Sequence, residues 1–466
     1  MRTNVGSVAR SEMKEAGMDV VINRTNQTVF FIVLCFAFTL QIALSLGSYS
    51  GHATPPMYGD YEAQRHWMEI TYHLPINQWY VNGSDNDLNY WGLDYPPLTA
   101  YHSWLLGTLA NKLNRSWIEL RISRGMETET HKIFMRFTVV ATFWIVYVSS
   151  LLLSIGFFHN TLSHRMLNYC AIAVLYPGLL VVDSGHFQYN HVSLGLFLFS
   201  FACFVSSFLK LGSMLFVLSL SFKQMELYHA LPVAIYLLSE SFSKQLLILF
   251  ITVIVTILFV CFPFLITRSD LMQILYRIFP FYRGIFEDKV ANFWYPFLIF
   301  AFLNFILLDF LLVVINLVLI TNIPWSVCLF CHPTRTNFKY CLLASSLSFF
   351  LFSFQVHEKS ILLVALPAIL LWNENPVLVS WLLIISNIRL YIFAVVLTPI
   401  EFDTLCLASL LFAPPARFPH IFSLLIAVYC FLHFITFFLY INLVTLLFRF
   451  KKLEIVDLLF TLVHEL

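Results

Sequence analysis

Charge is what this chain has least of. Only 11% of its 466 residues are Asp, Glu, Lys or Arg, and the formal net charge is +1. No block of basic residues with interleaved aromatics occurs, which excludes an electrostatic nucleic-acid interface. Nine cysteines are present, but they sit mostly inside apolar runs, as at Cys35, Cys203 and Cys261, and form no paired framework. The one Cys-x-x-Cys, Cys328 to Cys331, has no second pair to complete a zinc site. Glycine-rich phosphate cradles, a Walker pattern and a Ser-His-Asp order are missing too, so a nucleotide-dependent reaction is not expected. No internal repeat or low-complexity linker is visible.

What remains is apolar. Hydrophobic residues make up 59% of the chain, including 49 Phe, more than a water-soluble globule of this size can bury. The runs are continuous rather than alternating, so they read as helices, which satisfy their own backbone hydrogen bonds in lipid. The expectation is an all-α polytopic membrane bundle with about twelve spans, within about 10–14. They fall near 29–46, 137–157, 169–182, 192–209, 214–222, 230–238, 246–265, 293–320, 342–354, 361–371, 378–398 and 421–447. The pair 214–238 is short enough to be a broken or re-entrant element, and 404–412 is another partial span.

The organisation expected is a cytosolic tail 1–28, a membrane module 29–265 with a large polar insertion at 47–136, a polar loop 266–292, a second membrane module 293–447, and a cytosolic tail 448–466. Lysine and arginine are nearly balanced between the two sides, so the positive-inside rule gives little orientation. Placing both termini inside requires 98–136 to be amphipathic helices lying on the membrane surface, with Trp104 and Trp117 at the interface. Asp60, Asp94, His186, Lys223, Arg283 and His357 then share the non-cytosolic side. Of the sequons at Asn23, Asn26, Asn82 and Asn114, the last two would also lie there.

Ionisable residues are rare in membrane bundles, and clusters of them on one side point to a polar cavity. The densest cluster is Tyr58-Gly59-Asp60-Tyr61-Glu62-Ala63-Gln64-Arg65-His66-Trp67. Asp60 has two readings: the N-cap of a helix starting at Tyr61, or a general base that takes a proton from an attacking hydroxyl. Asp94 follows Trp91-Gly92-Leu93 and precedes Tyr95-Pro96-Pro97, a pair that holds the backbone extended. Trp67, Trp79, Trp91 and Tyr95 could stack on sugars or form an interfacial belt. Asp183-Ser184-Gly185-His186-Phe187-Gln188-Tyr189-Asn190 carries more hydrogen-bonding groups than a short connection needs and reads as cavity lining. Lys223-Gln224-Met225-Glu226 with His229 reads first as an internal ion pair between two short helices. Arg277, Arg283, Glu287, Asp288 and Lys289 crowd one loop, and Val356-His357-Glu358-Lys359 another, where cations could hold a phosphate.

These stretches resemble the endoplasmic-reticulum glucosyltransferases that use dolichyl-phosphate-glucose to extend the lipid-linked oligosaccharide of N-glycosylation. The resemblance also runs through Phe222-Lys223-Gln224-Met225, 283–294 and 352–359. The Gly59-Asp60-Tyr61-Glu62 stretch with Trp91-Gly92-Leu93 is similar to the subtype that adds the first glucose rather than the second. The resemblance implies a GT-C fold, a multi-pass endoplasmic-reticulum protein with a lumenal site, and dolichyl-phosphate-glucose as co-substrate with no cofactor or metal. It implies an inverting transfer to the 3-hydroxyl of the terminal mannose of Man9GlcNAc2-diphosphodolichol, giving an α-1,3 bond. By match to the family motif Asp60 is the base. His357 with Lys359 or Arg283 is expected at the donor phosphate, Asp94 and Arg65 at the acceptor, and Glu62, His66, Trp91, Tyr95, His186, Gln188 and Lys223 elsewhere in the substrate site. A phosphate leaving group needs no acid catalyst, so Glu62 is expected to fix Arg65 or His66 rather than donate a proton. The rival readings are the second-glucose enzyme, a lipid or solute transporter, and a non-catalytic glycan-binding subunit.

Overall fold

The computed structural model describes residues 3–158, 163–241, 243–265, 268–279, 290–294, 307–353, 356–397 and 421–445. Among them there is no β-strand, and the all-α expectation holds. The first helices are α1 (Thr3–Leu46), α2 (Gly59–His73), α3 (Pro97–Leu113), α4 (Glu129–Thr142), α5 (Ser149–Phe158), α6 (His164–Leu175), α7 (Pro177–Leu180), α8 (Asn190–Val205), α9 (Leu209–Phe222), α10 (Ala230–Glu240), α11 (Ser243–Cys261) and α12 (Arg268–Ile278). Leu307–Cys331, Arg335–Phe352, Ile361–Leu370, Pro376–Leu397 and Ile421–Leu439 follow.

Six of the helical stretches are long and apolar enough to cross a bilayer, and three shorter apolar helices accompany them. The protein is therefore a multi-pass membrane protein. α1 runs along the outside with Phe31, Ile32, Phe36 and Leu46 exposed, as expected of a helix facing lipid. A buried polar side chain helps anchor it: Gln41 donates to Ser184 Oγ at 3.0 Å and accepts from Trp144 Nε1 at 2.9 Å, bonds that hold in a medium offering no water as a competitor. The broken pair expected at 214–238 is α9 and α10, interrupted by the 3-10 turn Gln224–His229. The partial span at 404–412 lies outside the described residues.

The insertion between α1 and α4 folds as α2 and α3 packed side by side. Gly107 permits this, because a Cβ there would meet the Met68 carbonyl oxygen at 2.6 Å. Trp104 is exposed as expected, but Trp117 is not an interfacial residue. It is buried, its ring stacked 5.2 Å from Phe134. The insertion also ends earlier than 136: α4 starts at Glu129 and heads a span reaching Ser154, which takes Arg136 inside the bundle.

Candidate active site

Asp60 enters α2 through a constrained turn. Tyr58 (φ 55°) and Gly59 (φ 64°) are both left-handed, and a Cβ on Gly59 would come within 2.7 Å of Ser50, so only glycine fits there. The Asp60 amide donates to Ser50 Oγ at 3.2 Å. The side chain is no helix cap: Tyr58 occupies the cap position and no side chain caps the helix. Instead Asp60 Oδ2 receives His186 Nε2 at 3.0 Å, Gln188 Nε2 at 2.7 Å and the Lys359 ammonium. Burial opposes its ionisation, but the Lys359 charge and the His186 hydrogen bond outweigh burial and hold the carboxyl well below the usual carboxylate range. One quarter of the side chain remains exposed, and it faces a cavity of about 600 Å³.

One wall of that cavity is aromatic. Trp67, Trp91 and Tyr95 line it. Trp67 donates to the Trp91 carbonyl at 2.8 Å and its ring lies 5.1 Å from Tyr95. Arg277 fastens this wall by donating to the carbonyls of Gly92 at 2.7 Å and Leu93 at 3.2 Å. Trp79 is elsewhere, in a buried cluster with Ile70 and Phe264. An apolar wall is built from Leu194, Leu227, Tyr228, Phe349, Leu362 and Leu363.

Two cations, Lys223 and Lys359, line the same cavity. Lys223 donates to Asn190 Oδ1 and its ammonium lies 5.2 Å from the Tyr95 ring centroid. Burial first, and then repulsion from Lys359, push its pKa down to about 8. His357 Nδ1 accepts the Lys359 amide at 3.2 Å, which leaves Nε2 as the protonated nitrogen of the neutral ring. Burial pushes His357 down to about 3, so it offers a neutral N–H rather than a charge. A carboxylate, two lysines and a neutral imidazole around one cavity between aromatic and apolar walls can bind an amphiphile carrying a phosphate and take a proton from a hydroxyl beside it.

The model of the ALG6, ALG8 glycosyltransferase family matches residues 33–398, which include Asp60 and all the cavity residues above. The chain belongs to this family. It is 42% identical over 473 residues to a probable dolichyl pyrophosphate Man9GlcNAc2 alpha-1,3-glucosyltransferase of Caenorhabditis elegans, covering 93% of each chain. It is 45% identical over 366 residues to the dolichyl pyrophosphate Man9GlcNAc2 alpha-1,3-glucosyltransferase of Gallus gallus, covering 76% of this chain and 72% of the relative. A relative in Schizosaccharomyces pombe bearing the same name qualified as probable is 40% identical, covering 79% of this chain and 75% of its own.

In this member of the family the expected site residues divide. Asp60, Trp91, Asp94, Tyr95, Gln188, Lys223, His357 and Lys359 line the cavity, and His186 reaches it through Asp60. Glu62, Arg65 and His66 do not. Each residue of an α-helix turns about 100°, so relative to Asp60 the cavity-facing Ala63, Gln64 and Trp67 lie within about 60°, while Glu62, Arg65, His66 and Glu69 sit at about 140–240°. That second face is buried: Arg65 donates to Glu62 at 2.7 and 2.6 Å, to Glu69 at 2.7 Å and to Ser123. The expectation that Glu62 fixes Arg65 describes this geometry, while the acceptor role given to Arg65 does not, since its side chain is fully buried. Arg283 lies outside the described residues, as do Glu287, Asp288 and Lys289. The Lys223–Glu226–His229 group also splits. His229 Nδ1 pairs with Glu226 at 2.8 Å and its Nε2 lies 2.9 Å from the Leu363 carbonyl, bracing the broken helix pair, while Lys223 turns to the cavity. Asp183 is structural, fully buried against Asn190 and His191.

Proposed function

We propose that the protein transfers glucose from dolichyl-phosphate-glucose to the terminal mannose of Man9GlcNAc2-diphosphodolichol, forming an α-1,3 bond with inversion, in the endoplasmic-reticulum membrane with the cavity open to the lumen. The observation that carries the reading is Asp60, a partly exposed carboxylate facing the cavity among Lys359, His186 and Gln188, in a chain whose relatives bear the name of this activity.

The mannose 3-hydroxyl attacks the anomeric carbon from the face opposite the phosphate. Its proton passes to Asp60, the new C–O bond forms, and the electrons of the breaking bond leave on dolichyl phosphate. Lys359, Lys223 and the His357 N–H stabilise that leaving charge, with Arg283 as a further candidate, and the aromatic wall with Asp94 receives the acceptor sugar. The apolar wall suits the first isoprene units. Lys359 serves both ends of the reaction: a phosphate beside it draws its charge away from Asp60 and makes the carboxylate a stronger base as the donor seats.

The test is transfer by the purified full chain from radiolabelled dolichyl-phosphate-glucose to lipid-linked Man9GlcNAc2. Asp60→Asn should lower kcat by about 10²–10⁴-fold, the usual contribution of general-base catalysis, with donor binding kept. Turnover near the wild-type rate would remove Asp60 as the base.

A further inference from the structure

We infer that Arg136 is a positioning residue for this reaction: it locks together the two backbone segments that aim Asp60 and its partners His186 and Gln188 into the cavity. The inference rests on Asp60 being the base. Arg136 stands two turns into α4, is 4% exposed, and lies outside the cavity wall. Its guanidinium donates to three backbone carbonyls: Ser184, Gly185 at 2.8 Å and Ser48 at 2.8 Å.

Those carbonyls belong to the segments that matter. Ser184 and Gly185 lie in the π-helical turn Val181–Phe187, whose last carbonyls have no partner further along the helix. Phe187 closes the turn in a left-handed conformation, φ 90°, a costly one for a bulky residue that persists only when its surroundings enforce it. That closure throws His186 and Gln188 toward Asp60 at 3.0 and 2.7 Å. Ser48 lies just before Ser50, whose amide donates to the His186 carbonyl at 3.0 Å and whose hydroxyl accepts the Asp60 amide. One side chain thus bridges the segment that starts α2 and the turn that supplies two of the hydrogen bonds to the base. The planar guanidinium spreads its donors over two terminal nitrogens in a fixed fork, here Nη1 to Ser184 and Nη2 to Gly185 and Ser48, whereas the three donors of a lysine share one nitrogen and span less.

The test is a double-mutant cycle in the purified full chain, with dolichyl-phosphate-glucose and lipid-linked Man9GlcNAc2 as substrates. Arg136→Ala should lower kcat by about 10²-fold, the cost of a misplacement of about 1 Å at a reacting group, with KM for both substrates unchanged. Arg136→Lys should recover part of that loss. In a His186→Ala background Arg136→Ala should cost far less than in the wild type, because both act through the same carboxylate. Equal costs in the two backgrounds, or a loss confined to KM, would overturn the inference. If Arg136→Ala does not purify folded, Arg136→Lys and Arg136→Gln carry the same cycle. Asp60→Asn measured alongside separates the two levels: an active Asp60→Asn sinks the base, while an inactive one with additive Arg136 losses sinks only the positioning role.

Discussion

The two faces of α2 use the same chemistry for opposite ends. On one, Arg65 is enclosed by Glu62 and Glu69, and Tyr90 donates to Glu62 at 2.9 Å. Every one of these charged side chains is at most 1% exposed. On the other, Asp60 meets Lys359 with a quarter of the carboxylate still exposed. The first pairing is closed and has nowhere to admit a ligand. The second is open on one side, so its lysine can exchange one anion for another. A carboxylate and a cation therefore mark a site only when one of them keeps an accessible flank.

The comparison breaks most sharply under exchange of effects between the faces. Asp60→Asn should lower kcat by about 10²–10⁴-fold and lower the melting temperature of the purified protein far less than Arg65→Ala, because the amide still accepts from Lys359 and the site is open on one side. Arg65→Ala should do the reverse, because it strands Glu62 and Glu69 as buried unpaired carboxylates, which costs about 3–5 kcal/mol. The checks are thermal unfolding in detergent and kcat per folded molecule. A well-folded Arg65→Ala protein with reduced kcat would return Arg65 to the substrate site.

Much of this was legible beforehand. The apolar runs gave the helices, and the clusters at 58–67, 91–97, 183–190, 222–225 and 356–359 do meet at one cavity. Residue type alone groups Glu62, Arg65 and His66 with Asp60, because it cannot say which way a side chain faces. The helical register would have separated them, but it depends on a start at Gly59 set by two left-handed residues, and one of these, Tyr58, has no sequence signal for that conformation. The pairing of Lys359 with Asp60 spans 299 positions and follows from no local pattern. Arg136 was invisible for a different reason: at the head of an apolar run it reads as a membrane-boundary charge, and only the fold brings the Ser48 and Ser184 carbonyls to it.

The open face is sharpened next by Lys359→Ala. Removing the ammonium takes away the strongest influence lowering the Asp60 pKa and leaves burial, which raises it. A depressed pKa keeps the base ionised until pH falls well below the usual range, so the wild type should show no acid limb attributable to Asp60 above about pH 4. In Lys359→Ala that limb should move up into the measured range, with a weaker donor KM beside it. An unmoved acid limb would mean that Lys359 does not control the carboxylate.

The smallest expected effect concerns Lys223, which lines the same cavity as Asp60. Its pKa is pushed down to about 8 by burial and by Lys359, so in the free protein it loses its proton as pH rises through that value and the cavity loses one positive charge. The donor phosphate binds the charged form more tightly, so kcat/KM for dolichyl-phosphate-glucose, which reports groups in the free enzyme, should fall above about pH 8. A bound phosphate raises the lysine pKa again, so kcat at saturating donor should stay flat through the same range. Lys223→Arg keeps its charge at every accessible pH and should abolish the alkaline limb. If the limb survives that substitution, another group on the cavity wall titrates there, and Lys223 belongs with the structural pairs on the closed side of the comparison.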